Sequence, residues 1–319
     1  MARYVIRRIL WGMLMLVTVA ALTFVLFRVI PTGNPAVLRA GRDPQPKLIH
    51  EIEHVLGLDK SLPTQFWDFL KGVFLHFEFG YSYYNQESVV DLIKERLPAT
   101  ISLTVGAVVL WIFLGMGIGI LSALRRHSAT DRASMGGALI LVSAPEFWLG
   151  LLLLLLFSND VGKFKILPGS GSYVGITSDP WKWFTSLLMP WFVLAAGSAA
   201  VFARLIRGNL LEVMDEDYIR TARAKGLPEK QVVRQGVRAS VNPVVTLMGL
   251  EMGLLLGGAV IIETVFNIPG VGLLAYHSIA NADFAVIEGT VLLAAMFIII
   301  ANIVVDIVYA YLDPRVRYS

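Results

Sequence analysis

The residues best placed by type and spacing to do chemistry are His50-Glu51-Ile52-Glu53-His54, which fit the H-E-x-x-H pattern of zinc-dependent proteases. On a helix the two histidines stand one turn apart on one face, and the glutamate beside the first can act as general base on a zinc-bound water. A catalytic zinc also needs a third protein ligand and a dry, shaped cavity around an open coordination position. The other histidines are His76, His127 and His277, and the topology derived below puts His127 across the membrane from the pair. Two histidines at i and i+4 suit the polar face of an amphipathic helix equally well, so a membrane metalloprotease is the less favoured of two readings and no metal ligand or catalytic residue is assigned.

The rest of the chain narrows the chemistry further. Cysteine is absent, which excludes disulfides, thiolate zinc sites and cysteine nucleophiles. No G-x-x-x-x-G-K-[ST] phosphate loop occurs, and the Gly162-Lys163 pair is followed by Phe164, so ATP bound in that way must sit on another chain. A net charge of +3 is small and scattered, which argues against nucleic acid as a partner.

The elements that must position these residues belong to a membrane. Hydrophobic residues make up 56% of the 319 and charged ones 16%, far from soluble proportions. Six stretches reach the roughly 20 apolar residues a crossing needs: Ile9 to Ile30, Thr100 to Leu124, Ala133 to Phe157, Phe184 to Ile206, Val244 to Phe266 and Ala285 to Leu312. The first follows Arg3, Arg7 and Arg8 but outruns a signal-peptide core, and reads as a retained anchor. With the N-terminus inside, sixteen of the twenty-seven lysines and arginines fall in the cytoplasm, among them Arg125, Arg126 and Arg132, eight between Arg204 and Arg238, and Arg315 and Arg317. The short loops thus favour an N-in, C-in topology.

This divides the chain into a tail and first span (1–30), an extracytoplasmic segment (31–99), a core of five further spans (100–312) and a cytoplasmic tail (313–319). The extracytoplasmic segment, with "LPTQFWDFLKGVFLHF", suggests short amphipathic helices on the membrane face. A cytoplasmic loop of about 208–242 exceeds what topology needs. In it Asp217 can open a helix, Thr221, Ala222 and Ala224 keep part of its surface small, Gly226 can close it in a left-handed cap, and Pro228 can occupy the first turn of a second helix.

Within the spans, Gly249, Gly253 and Gly257 stand four apart on the fifth, and Gly115 and Gly119 repeat the device on the second, as surfaces for close helix approach. Charges there are costly and mark a pathway by default. Glu251, midway along the fifth span, is the residue expected to face it; Glu146, just after Pro145, suits a packing or hinge role. Glu263 and Asp306 lie nearer span ends and suit structural roles, as partners for a helix end, an arginine such as Arg28, or interfacial water. Pro269, Gly270 and Gly272 in "FNIPGVG" can support a tight outer re-entry or gate.

One segment, "YIRTARAKGL" (Tyr218 to Leu227), resembles the cytoplasmic loop of permease subunits in the dipeptide/oligopeptide family of ABC importers. Further matches follow in order: "LGLDKSLPTQFWDFL", "RLPATISLTVGA", "SAPEFWLGLLLLLLF", "LPGSG", "IIETVFNIPGVGLL" and "DIVYAYLDPRVR". Two departures stand out: Gly33-Asn34-Pro35 replaces the usual Gly-Asp-Pro, and Arg220-Thr221-Ala222 replaces Glu-Ala-Ala ahead of Gly226.

The resemblance implies an all-α integral membrane protein with the type I importer permease fold, in the cytoplasmic (inner) membrane of a bacterium or archaeon. It implies that Asp217, Tyr218, Arg220, Thr221, Ala222, Arg223, Ala224, Lys225 and Gly226 form a coupling helix docked on an ATPase. It further implies a second homologous permease, favoured as a heterodimer and met through the glycine stripe, two ATPase subunits carrying ATP and Mg, an extracytoplasmic substrate-binding protein, and membrane lipid around the bundle. The implied cargo is a di- or oligopeptide, with a nickel complex, glutathione or an oligosaccharide as alternatives. No cofactor is expected in this chain. A secondary transporter would want an internal inverted repeat, which the sequence does not display, and a structural scaffold would not need the helix-glycine-helix loop.

Overall fold

Hydrocarbon offers no hydrogen bonds to a peptide group, so apolar runs of this length fold as helices. The computed structural model describes residues 2–29, 46–47, 50, 53, 59–82, 84–256 and 259–312. Gly33-Asn34-Pro35, Glu51 and His54 of the zinc-like pattern, Gly257 and the tail 313–319 lie outside the described residues. Of that pattern, His50 is exposed, with Nδ1 3.4 Å from Glu53 Oε2.

Helix α1 (Ala2–Phe24) continues in a π-helical turn, Val25–Val29. Outside follow α2 (Leu62–Lys71) and a two-stranded antiparallel ribbon, β1 (Tyr81–Ser82) with β2 (Glu87–Ser88). Helix α2 is the expected amphipathic element: Phe69 packs with Phe24 of α1 and Leu292, while Trp67 faces outward. Then come α3 (Val89–Leu124), α4 (Ala129–Ser143), α5 (Glu146–Phe157), α6 (Pro180–Met214), α7 (Asp217–Ala224), α8 (Glu229–Leu256), α9 (Val260–Phe266), α10 (Val271–Ala280) and α11 (Phe284–Leu312).

Four of the six expected crossings fall on continuous helices: α1 with its π turn, α3, α6 and α11. The third does not; α4 and α5 meet at Ala144-Pro145 with a bend of 106°. Helical backbone is disfavoured for the residue before a proline, and Ala144 is extended, which breaks the run. The fifth expected stretch divides between the end of α8 and α9, and α10 folds back from α9 at 87°. Two assigned boundaries fall within helices. Residues 99 and 100 lie inside α3, which Ser88 caps by accepting from Val90 N at 3.2 Å. The cytoplasmic segment of about 208–242 takes in the ends of α6 and α8, which both project beyond the apolar stretches.

The core is the pairing of α3 with α6. Gly106 leaves room for the Trp191 ring, whose Nε1 donates to Ser102 O at 3.0 Å. Gly115 and Gly119 receive Phe202, Ile206 and the backbone at Ala199 and Ala203. That small-residue pair therefore serves internal packing, as in tightly apposed membrane helices. Gly249 and Gly253 lie on α8.

Three charge pairs tie the ends of the bundle. At the cytoplasmic side Arg207 of α6 holds Asp131 of α4 with two bonds, 2.7 and 2.9 Å, and Asp131 also accepts from Ser122 of α3 and from His127 N. Arg8 of α1 pairs with Asp306 of α11 at 2.9 Å. Arg28 pairs not with Glu263 but with Glu288 of α11, at 3.3 Å.

Asp131 is 4% exposed, so Asp131→Ala leaves the largely buried Arg207 guanidinium without its carboxylate. The expected outcome is a lower melting temperature of the detergent-solubilised chain. Removing Arg207 as well should recover part of that loss.

Candidate functional site

Two places gather the residues singled out by the sequence: an elbow at the outer end of α9, and the cytoplasmic helix α7. The elbow is built around Glu263, which is fully buried. Helix α9 ends at Asn267, whose φ of 48° is left-handed, a conformation that Asn tolerates better than most residues. The chain turns through Ile268 and Pro269, and α10 begins with Gly270 as its extended N-cap.

The first N–H groups of α10 have no intrahelical acceptors. Here a carboxylate and a hydroxyl from elsewhere in the fold supply them. Glu263 Oε2 accepts from Leu273 N at 2.8 Å, Gly272 N also donates to the carboxylate, and Thr100 Oγ1 accepts from Val271 N at 2.8 Å. Thr100 in turn donates to Glu263 Oε1 at 2.8 Å, which joins the elbow to α3. A side chain at Gly270 would overlap the Glu263 carboxylate, so glycine is what lets the acid lie against the helix start. A negative charge there also complements the helix dipole. Of the structural roles open to Glu263, the helix-end partner is the one it fills. Pro269 and Gly270 sit in the turn itself.

The "LPGSG" loop meets the same elbow. Gly171 N donates to Phe266 O at 2.8 Å and Ser170 Oγ to Val265 O at 3.3 Å, capping the last carbonyls of α9. Two segments distant in sequence thus satisfy the two helix ends that the bend leaves open.

Deeper in the bundle Glu251 of α8 is half-buried and accepts from Ser198 Oγ of α6 at 3.4 Å. Glu146 is exposed at the start of α5, directly after the break, and the charge of Glu251 acts on it. The packing or hinge role expected for Glu146 falls on the first residue after the break, where α4 and α5 meet at 106°.

On the cytoplasmic side α7 is closed by a Schellman motif. Gly226 N donates to Arg223 O at 2.9 Å and Leu227 N to Ala222 O at 3.3 Å, with Gly226 at φ 76°. Ile219 and Ala222 are buried against Val232 of α8, with Leu227 beside them. Ala222 thus faces inward and contributes nothing to the outer surface. Asp217 opens the helix as its first residue, not as its cap, which is Glu216. Pro228 stands just before α8, where its carbonyl accepts from Gln231 N at 2.8 Å.

The outward face carries Asp217, Tyr218, Arg220, Thr221, Arg223, Ala224 and Lys225, all exposed. Arg223 bridges to Glu229 of α8 at 2.9 Å, and that hydrogen bond holds the Glu229 carboxyl below its ordinary range. Arg220 stands 3.5 Å from Asp217.

Sequence reasoning passed over two acids. Glu288 lies inside the sixth stretch, and the rule that flagged its neighbours applies to it equally. Asp131 lies in the first turn of α4 at the cytoplasmic side, and nothing local distinguishes it from a solvated residue.

Residues 115–318 match the family described as binding-protein-dependent transport system inner membrane component, and residues 1–104 match the N-terminal region of the same kind of membrane component. A protein of Brucella abortus (strain 2308) described as a peptide transport system permease is 39% identical over 320 residues, covering 100% of both chains. The glutathione transport system permease proteins of Salmonella typhi and Escherichia coli (strain K12) are likewise 39% identical over the full length of both chains.

Thr100→Val leaves Val271 N unpaired in a buried elbow and removes one donor from Glu263. It should cost about 2 kcal/mol, read as a lower melting temperature and faster proteolysis between α9 and α10. Glu263→Ala, which strips more partners, should cost more than Glu263→Gln.

Proposed function

The chain belongs to the family of binding-protein-dependent transport system inner membrane components, and from that premise we propose that it forms half of the pathway of an ATP-driven peptide importer. Relatives over the whole length are named for peptide and for glutathione transport. Glutathione is itself a short peptide, so di- and oligopeptides form the proposed cargo class. The chain is a transport component, and in this proposal a binding protein outside delivers the cargo, two ATPase subunits inside hydrolyse ATP, and a second permease completes the pathway.

The observation that carries the reading is α7. An eight-residue helix is too short to persist alone in water, yet this one is held rigidly by its buried Ile219 and Ala222 and by the Schellman closure. Its outer face, basic and exposed, remains available. A rigid, exposed helix between the cytoplasmic projections of α6 and α8 is a handle by which an ATPase can move two spans together. Tyr218, Arg220, Thr221, Ala224 and Lys225 are the residues proposed to meet it; Asp217, Ala222, Arg223 and Gly226 shape and fix the helix.

The pathway side of the proposal rests on Glu251 and Glu146. Two carboxylates within electrostatic reach of each other, beside the break between α4 and α5, are expensive to keep in a bundle, and their placement suits a polar passage. The Glu263 elbow is proposed to be the outer gate, with Thr100 carrying its position to α3.

Gly226→Val places a β-branched side chain at φ 76°, a conformation that costs it about 2 kcal/mol or more. Assembled with its partners in proteoliposomes, this variant should lose most binding-protein-dependent uptake of a labelled peptide while basal ATP hydrolysis persists. Gly226→Asn should retain more uptake, because Asn tolerates the left-handed region. Wild-type uptake and wild-type stimulation of ATP hydrolysis in Gly226→Val would refute the coupling role.

A further inference from the structure

The external loop that follows α5 has a surface unsuited to water. Its fold is tightly specified: Asn159 N donates to Leu167 O at 2.7 Å, Gly162 N to Ser158 O at 2.9 Å, and the N–H groups of Lys163 and Phe164 return to Leu155 and Leu156 O at 3.0 and 2.8 Å. A side chain at Gly162 would overlap the Ser158 backbone. Lys165 adopts φ 49°, a left-handed conformation that costs a residue of this kind about 1–2 kcal/mol.

What this geometry does is hold an alternating ridge outward. Val161, Phe164 and Ile166 are 70%, 54% and 64% exposed, and exposed Lys163 and Lys165 stand between them. Phe164 stacks on Phe157 at 5.8 Å, and Lys163 Nζ lies 5.9 Å from the Phe164 ring. Neither lysine has an ion-pair partner among the described residues, and Asp160 lays its carboxylate over Gly169 instead. The exposed side of α5, with Trp148, Leu151 and Leu155, runs without interruption into the ridge.

An apolar ridge at the end of a membrane-spanning element, interleaved with long cationic side chains, matches the layered chemistry of a bilayer surface. Acyl chains take the apolar groups, and lysine stems reach from them to the phosphate level. We propose that the loop 158–167 is an anionic phospholipid site in the outer leaflet, in which Val161, Phe164 and Ile166 enter the acyl region and Lys163 and Lys165 hold the headgroup phosphate. The site anchors the outer end of α5, the short half of the broken third span.

The natural absence of cysteine makes the test clean. Val161→Cys and Phe164→Cys each carry a nitroxide on the full chain in nanodiscs of phosphatidylcholine, with or without phosphatidylglycerol, and Lys225→Cys supplies the water-exposed reference. Collisions with oxygen should exceed those with a nickel chelate at both loop positions and be reversed at Lys225. Native mass spectrometry of the unlabelled chain should show retained phosphatidylglycerol. Lys163→Gln with Lys165→Gln should lower that retention by about fivefold per lysine, and the paired arginine variant should keep it. Water-like accessibility at both loop positions overturns the proposal and assigns the ridge to a soluble protein. Immersion with retention unchanged in the glutamine variant overturns the phosphate assignment.

Discussion

A peptide N–H inside a bilayer must find its acceptor within the protein, and the bend between α9 and α10 is shaped by that demand. The bend between α9 and α10 exposes the carbonyls of one helix and the N–H groups of the next. Gly171 and Ser170 cover the first set, Glu263 and Thr100 the second. Because the hydrogen-bond partners come from α3, α9 and the loop before α6, the bend can exist only when those elements are already together. The elbow is therefore a product of the assembled bundle.

The same logic governs buried acids at both ends of the molecule. In the outer elbow Glu263 is spent on backbone groups, whereas Glu288 at the outer end and Asp131 at the cytoplasmic end are each spent on a guanidinium. Asp131 gathers Arg207, Ser122 and His127 N, joining α4, α6, α3 and the turn between α3 and α4. Below that knot the helices run on into the cytoplasm and carry α7 between them.

Features with a local cause could be read from the sequence, and those with a distant cause could not. The helix closed by Gly226 was legible, because a left-handed glycine following a helical run is a short-range signature, and so were the amphipathic α2 and most of the crossings. The break at Pro145 was visible as a proline yet its 106° consequence was not, since the angle depends on what packs around it. Glu263 could be noticed as a costly charge, but its partner Thr100 lies 163 positions away. Arg28 and Glu288 are separated by 260, and no periodicity joins residues across such an interval.

Helix α6 has a mechanical property of its own. It runs unbroken for 35 residues, from the outer surface to the turn that carries α7, which at 1.5 Å per residue makes a rod about 50 Å long. A rod pivoting near one end multiplies angle into travel: a tilt of about 10° sweeps the other end through about 9 Å. Its tight seam with α3, set by Gly106, Gly115 and Gly119, obliges that neighbour to swing with it. Since α3 bears Thr100, that seam joins the rod to the outer elbow through two hydrogen bonds.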